Sequence, residues 1–324
     1  MIKLLWRTDV HLSDKTPKRR NGNWTTDVLN KLRWVGELAN EINVEGVLDG
    51  GDFFDVKSPT KNSHSLVRET CEVHRKYMCP IYSLVGNHDV KYGNISYLNE
   101  QPLSVLFSAG IFTQFGDDKE IIIEKNGIKV RIIGVPYHGV EYDFKRLSEL
   151  TKKDEDFLIV ACHLLARKGK TGSMFEGEDI VGYDFLNTIT DVDCWCFGHW
   201  HKDQGITLLK NGSKVVNVGS LTRGSLHLDD LDREPCVVEI QVSEKGVDCI
   251  RHNVPIKPVK EAFKIESAIR EKEDIKRMED VVEQMRVVAN SGWSSLTLKE
   301  RVMQVNASSG AKEQAIAYLE EIEK

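Results

Sequence analysis

The chain has 324 residues, 40% of them apolar and 29% charged, with a formal net charge of −6. This is the balance of an ordinary globular protein, long enough for one large domain plus an appendage. No apolar stretch approaches the roughly 20 residues a bilayer span needs, and the acidic charge excludes a globally basic nucleic-acid-binding surface; any attraction to DNA has to come from local basic patches, bound metal or a partner.

The opening Met1-Ile-Lys-Leu-Leu-Trp-Arg-Thr-Asp9 is too short and too soon charged for a signal peptide, and Ile2–Arg7 reads as a strand. A helix is predicted over Asp27–Asn43, where Val28, Leu32, Val35, Leu38 and Ile42 recur near a 3.6 period. Strands follow at Gly46–Asp49 and Ile81–Val85, with a second helix at Ser65–Tyr77 between them. Then come apolar runs at Val130–Val135, Phe157–Cys162, Cys194–Phe197, Val215–Val218 and Val237–Val242. Several are continuously apolar, as strands buried on both faces are. Strand–helix alternation giving way to strands predicts a layered α/β sandwich.

Pro255-Ile-Lys-Pro258 reads as an extended linker. It divides a main domain, residues 1–255, from an appendage, residues 256–324. In the appendage Ile265, Ile269, Ile275, Met278, Val282 and Met285 mark an amphipathic helix, which Ser291-Gly292 stops. A last helix runs from about Ala311 to Ile322, with an apolar stripe at Ala315, Leu319 and Ile322 that either docks on a partner or packs within the chain. Seven cysteines are scattered from Cys71 to Cys249, none in CxxC spacing, and read as buried thiols of a reducing, intracellular compartment.

Five segments carry chemistry: Asp9-Val-His11, Gly51-Asp52-Phe-Phe-Asp55, Gly86-Asn87-His88-Asp89, His163 and Gly198-His199-Trp-His201. Each follows a predicted strand, and strand ends at one edge of a sheet are where open α/β folds place their ligand sites. Imidazole and carboxylate suit borderline divalent metals. Phosphoester cleavage benefits from two such ions about 3.5–4 Å apart, which one carboxylate can bridge. The alternate spacing of Asp9/His11 and His199/His201 fits extended chain that aims both side chains one way. Gly51, Gly86 and Gly198 are expected to permit the turns between. Singly these pieces are weak; a lone DxH means little, and a lone His163 reads more readily as a core histidine. Their order and shared position after strands make them a set.

The series DxH…GDxxD…GNHD…H…GHxH resembles the calcineurin-like metallophosphoesterases. Gly50–Pro59, Gly134-Val-Pro-Tyr137 and Asn217-Val-Gly-Ser-Leu221 are similar to the SbcD-type nuclease subunits of DNA break repair and recombination, over roughly residues 1–255. The compact size is similar to virus-encoded members as much as to cellular ones. The resemblance implies a four-layer αββα sandwich with a small helical or α+β appendage serving as a cap or partner-binding element. It implies two divalent ions, manganese in the family's usual practice: Asp9, His11 and His201 at the first, Asn87, His163 and His199 at the second, and Asp52 between them. His88 would be the catalytic histidine that is not a ligand, with Asp55 and Asp89 orienting or charge-stabilising it; some relatives have histidine where Asp55 stands. The implied activity is exo- and endonucleolytic, and the implied partners are DNA, an SMC-like (SbcC-type) ATPase and a second copy of the chain. The basic loop Lys15–Trp24, with Lys18, Arg19 and Arg20, and Arg223 are candidate phosphate contacts, and Arg167-Lys-Gly-Lys170 is a further basic segment. The rival readings are a small-molecule phosphodiesterase or phosphatase of the same superfamily and a non-catalytic scaffold.

Overall fold

Continuously apolar runs such as Phe157–Cys162 form strands between two apolar layers. In chain order the elements are β1 (Ile2–Arg7), α1 (Trp24–Glu41), β2 (Gly46–Asp49), α2 (His64–His74), β3 (Ile81–Ser83), α3 (Pro102–Ser108), β4 (Thr113–Gln114), β5 (Ile121–Lys125) and β6 (Ile128–Val135). There follow α4 (Lys145–Ser148), β7 (Phe157–His163), β8 (Leu165–Arg167), β9 (Gly172–Ser173), β10 (Asp179–Gly182), α5 (Tyr183–Leu186), β11 (Cys194–Gly198), β12 (Gly205–Leu208), β13 (Lys214–Asn217), β14 (Cys236–Ser243), β15 (Gly246–Asn253) and α6 (Val259–Ala262). The structure is a computed structural model that describes residues 1–55, 62–173, 177–224, 233–266, 270, 277–282 and 297–322.

Two six-stranded sheets, ordered β15-β14-β1-β2-β3-β4 and β12-β13-β11-β7-β6-β5, form the centre of the first compact unit, Met1–Ala262. Strands β1, β2 and β3 are parallel, as are β6, β7, β11 and β13. Alternation along each strand sorts the side chains into layers. Ile159 and Ala161 of β7 join Leu4, Trp6, Leu48, Cys194 and Ile240 in the core between the sheets. Leu158, Val160 and Cys162 face the other way, onto Tyr142, Leu147 and Leu186 beside α4 and α5. On the far side Val28, Leu32 and Val35 of α1, with Leu66 of α2 and Leu103 of α3, cover Leu5, Val47 and Ile81. Helix α1 starts where Asn23 accepts from Thr26 N (3.0 Å), an N-cap that satisfies one orphan donor. The result is the four-layer αββα sandwich.

The Pro255–Pro258 segment carries no helix or strand and is tied to the first unit. Lys31 Nζ donates to Pro255 O (2.8 Å), and α6 continues the first unit to Ala262. In the second unit, Phe263–Lys324, residues 277–282 are helical, Thr297 caps a helix at Leu298–Gln304 through a reciprocal bond with Glu300, and the last helix spans Ser309–Ile322. Ile269, Ile275, Met285 and the Ser291-Gly292 stop lie outside the described residues. No helix among the described residues is long and apolar enough to cross a membrane.

Beneath the strand ends lies a buried polar cluster. Arg7 Nε donates to Asp49 Oδ2 (2.7 Å), and its Nη1 reaches His74 Nε2 and the Tyr77 hydroxyl, each at 3.1 Å. Thr70 O can only accept, so His74 Nδ1 donates to it (2.8 Å) and Nε2 accepts from Arg7. Burial, and then the Arg7 charge, hold His74 well below the ordinary histidine range, so it is neutral in the fold. Below pH about 6.5 the unfolded chain takes up this proton and the folded chain does not. Denaturant titrations of the metal-free protein should therefore show stability falling as pH drops from 6.5. The fall should be shallower in His74→Gln by up to about 1.4 kcal/mol per pH unit. Equal slopes would mean that His74 titrates alike in both states.

Candidate metal centre and active site

The predicted site residues gather at the carboxyl ends of parallel strands. Asp9 and His11 follow β1, Asp52 follows β2, Asn87 and His88 follow β3, His163 ends β7, and His199 and His201 follow β11. Register brings His163 level with Gly198 across β7 and β11, and Arg7 level with Asp49 across β1 and β2. The loops after β1 and β2 then run side by side: Asp9 N donates to Gly51 O (3.1 Å), His11 N to Asp52 O (3.0 Å) and Leu12 N to Phe53 O (2.9 Å).

These loops are not extended chain. Asp9, His11, Asp52 and His199 all have positive φ, at 53°, 50°, 53° and 82°. Residues with a Cβ resist that region at a cost of about 1–3 kcal/mol each, and such strain collects where geometry is imposed for function. The left-handed residues, rather than strand periodicity, aim Asp9 and His11 into one site. The glycines act by close approach as much as by turning. A Cβ on Gly86 would lie 2.1 Å from Asp52 Oδ1 and 2.7 Å from His163 Cε1, and one on Gly198 would lie 2.2 Å from Thr8 Oγ1. Only Gly51 also needs a positive φ, of 90°.

Two groups of side chains are close enough to share an ion: Asp9, His11, Asp52 and His201, and Asp52, His163 and His199. Asp52 belongs to both. Asn87 joins the second, its Oδ1 lying 3.1 Å from His163 Nε2. His163 Nδ1 donates to Gly50 O (2.7 Å), which leaves Nε2 facing Asn87 Oδ1 and, at 3.4 Å, Asp52 Oδ2. His11 Nε2 and His201 Nε2 are 2.8 Å apart. Asp52 Oδ1 accepts from His88 N (2.7 Å), whereas Oδ2 is buried with no hydrogen-bond partner. Burial, assisted by His201, pushes His11 down to about 3, so its ring is neutral. Burial opposes charge on Asp52 and His163 too, but their mutual attraction prevails: the Asp52 carboxyl stays well below the usual carboxylate range and His163 is raised to about 9. Carboxylate and amide oxygens and imidazole nitrogens thus converge around Asp52 Oδ2. That donor set fits borderline divalent metal ions.

His88 falls in neither group. Its ring stands edge-on to His11, centroids 4.7 Å apart, and its Nδ1 lies 3.2 Å from Asp55 Oδ1. Asp89 does something other than orient His88. Fully buried, it accepts from Phe54 N (2.8 Å) and Gly86 N (3.0 Å), buckling the Gly86–Asp89 turn to the loop after β2. Burial, and then Asp52, push its carboxyl well up.

Two expected phosphate contacts are corrected. Arg20 is 4% exposed; its Nη2 donates to Asp27 Oδ2 (2.7 Å), and its guanidinium lies 5.2 Å from the Trp24 ring centroid. Arg223 is 5% exposed and donates from Nη2 to Lys257 O (2.8 Å). Both guanidinium groups are committed to the protein interior. Lys18 is exposed and Arg19 half-buried. Glu178, by contrast, belongs to the site and has no motif to announce it. Its Oε1 lies 2.8 Å from His199 Nε2, the position of a carboxylate that fixes a ligand ring. The Tyr137 ring packs on His199 with centroids 5.5 Å apart, walling the second group.

The chain is similar to the DNA double-strand break repair protein Mre11 of Archaeoglobus fulgidus, at 22% identity over 241 residues, covering 69% of this chain and 51% of that protein. It is similar at 22% identity to the double-strand break repair protein mus-23 of Neurospora crassa, covering 91% of this chain and 46% of that protein. It therefore spans about half the length of the curated relatives it matches. A dimetal phosphatase of Danio rerio aligns with a TM-score of 0.48 at 12% identity, over 78% of this chain and 99% of that one. The family model described as calcineurin-like phosphoesterase matches residues 2–203, from the first residue of β1 to just beyond His201. Since that match takes in more than half of the sequence and every strand end that contributes to the two groups, the chain belongs to the calcineurin-like phosphoesterase family.

Proposed function

We propose that this phosphoesterase is a DNA nuclease that works with two divalent ions, manganese foremost, as the catalytic subunit beside an SMC-like ATPase in break repair or recombination. The observation that carries the two-metal reading is Asp52: one buried carboxylate, shared by both groups, whose Oδ2 makes no hydrogen bond and faces His163 Nε2 at 3.4 Å. Asp9, His11 and His201 would hold one ion, Asn87, His163 and His199 the other, and Asp52 both. When bound, the pair would activate a water and neutralise charge on the phosphoryl oxygens. The protein's own part is to fix the geometry. The Gly50 carbonyl sets the His163 tautomer, Glu178 orients His199, and Asp55 holds His88 by Nδ1 so that Nε2 remains for the leaving oxygen. The nuclease reading draws on the two relatives, both named as double-strand break repair proteins. In this reading the first unit carries the chemistry, the second serves the ATPase partner, and the seven free cysteines suit a reducing compartment.

The small-molecule rival rests on the acidic net charge and on the burial of Arg20 and Arg223. The purified chain with Mn²⁺ should degrade linear DNA, alone or with a candidate ATPase. Reversing charge at Lys18 and Arg19 together should weaken DNA cleavage and flatten its salt dependence, while hydrolysis of a small chromogenic phosphodiester stays near the parent rate. A parent that hydrolyses only the small diester, even with an ATPase present, would replace this reading with a small-molecule phosphodiesterase.

A further inference from the structure

Between the Gly86–Asp89 turn and α3 the chain makes two short 3-10 helices, Lys91–Gly93 and Ile95–Glu100. Tyr92 adopts φ 59°, ψ 21°, the left-handed region that favours glycine. An ordinary turn would take Gly or Asn there without strain. The folded core gives no reason for a tyrosine, because the residue is 81% exposed and belongs to no core cluster. The ring has two neighbours. The Lys91 amine stands 5.0 Å from its centroid, and Tyr97 packs against it edge-on at 6.0 Å. Ile95, at 37% exposure, adds apolar surface to the same segment.

The position matters as much as the strain. A Cβ on Gly93, the next residue, would lie 3.3 Å from the Tyr137 ring and 4.0 Å from Asn87 Cβ. Tyr137 in turn packs on His199 and His163, with centroids 5.5 and 6.3 Å away. Tyr92 is thus held on strained backbone one residue from the wall of the candidate metal centre, largely exposed, with the Lys91 amine over its ring and the opposite face left for a base. An exposed aromatic next to a Lys is the chemistry that receives a nucleobase and its phosphate. The ring stacks on any base, and the ammonium pairs with the backbone charge.

We propose that Tyr92, positioned by Tyr97 and flanked by Lys91, is a stacking platform for an unpaired nucleobase adjacent to the phosphodiester being cleaved. The substrate class is then DNA with a single-stranded or splayed end. A base inside an intact duplex keeps its faces against its neighbours and cannot stack on Tyr92. The proposal rests on the nuclease reading above and narrows it.

The test is equilibrium binding of the full chain to a fluorescein-labelled oligothymidylate. It is read by anisotropy in Mn²⁺ on a His88→Gln background that slows turnover, and again in EDTA. A second oligonucleotide of the same length carries abasic sites throughout. Tyr92→Ala should weaken binding of the thymidylate by about 5- to 150-fold, the range that loss of one base–aromatic stack produces. Tyr92→Phe and Tyr92→Trp should bind within a few-fold of the tyrosine protein. The abasic strand should bind that protein weakly, with little further loss in Tyr92→Ala. Thymidylate bound equally by Tyr92→Ala and its parent would overturn the platform while leaving a nuclease. So would an abasic strand bound as tightly as the thymidylate. A parent that binds neither strand would overturn the platform together with the nuclease reading.

Discussion

Replacing His88 with glutamine should leave metal uptake intact and lower the rate of diester hydrolysis by about 10²–10⁴-fold, the usual contribution of a positioned general acid or base. His88 lies beside the two groups of candidate ligands and belongs to neither. Its backbone N–H donates to Asp52 Oδ1, its ring meets the edge of His11, and its Nδ1 lies against Asp55. The side chain is 21% exposed, so substrate can reach it. Its neighbour Asn87 goes the other way, towards His163. In the proposed reading two residues adjacent in sequence are divided between holding a metal and meeting substrate. Mn²⁺ titration calorimetry on His88→Gln should return the stoichiometry of the parent. Loss of an ion from that variant would make His88 a ligand and leave the proton transfer without an owner. Asp55→Asn provides a graded companion: it keeps a hydrogen-bonding group near Nδ1 but removes the carboxylate that orients the ring, so its rate should fall between those of the parent and His88→Gln.

Much of this site is legible in the sequence because ligand types and strand ends are local features. Apolar runs that pack on both faces, such as Phe157–Cys162, need no partner to be recognised as strands, and a histidine at the end of one is already placed at a sheet edge. What escapes depends on chain that returns from elsewhere. Glu178, the residue before β10, meets a histidine that follows β11, and no spacing records that. Arg19 and Arg20 are indistinguishable as letters. Helix α1, starting just beyond them, supplies Asp27 and Trp24, and these take Arg20 into the interior. Asp89 reads as a histidine's carboxylate in the Gly86–Asp89 motif, yet two backbone N–H groups claim both its oxygens. The left-handed backbone at Asp9, His11, Asp52 and His199 is equally hidden, since Asp and His enter that region more readily than most residues yet still rarely enough that the letter alone does not announce it. Asn126-Gly127, with φ of 53° and 77°, is the two-residue turn joining β5 to β6, and Asn-Gly between apolar runs is a hairpin signature.

Asp52→Asn should cost the protein both metal ions together, and with them nearly all activity. The substitution keeps the shape of the side chain and removes its charge. Oδ1 accepts from His88 N, and an amide oxygen can continue to do so. Oδ2 is the atom that matters: buried, without a hydrogen-bond partner, 3.4 Å from His163 Nε2 and 3.8 Å from His11 Nε2. An NH₂ group there would present hydrogens where a cation has to sit. Loss of an outer-shell partner lowers metal affinity by about 10- to 100-fold, so loss of a shared ligand should exceed that at both sites. Thermal unfolding separates this effect from misfolding. In the metal-free protein the Asp52–His163 attraction outweighs the desolvation of both groups, so replacing the carboxylate by an amide gives up that stabilisation and should lower the midpoint, while a single cooperative transition shows that the variant still folds. Added Mn²⁺ should then raise the midpoint of the parent, by about 2.7 kcal/mol of stability per site at a hundredfold excess over the dissociation constant. The midpoint of Asp52→Asn should stay where it was. A variant that loses one ion and keeps the other at parental affinity would show that Asp52 serves a single site, and the two groups of side chains would have to be joined by something other than this carboxylate.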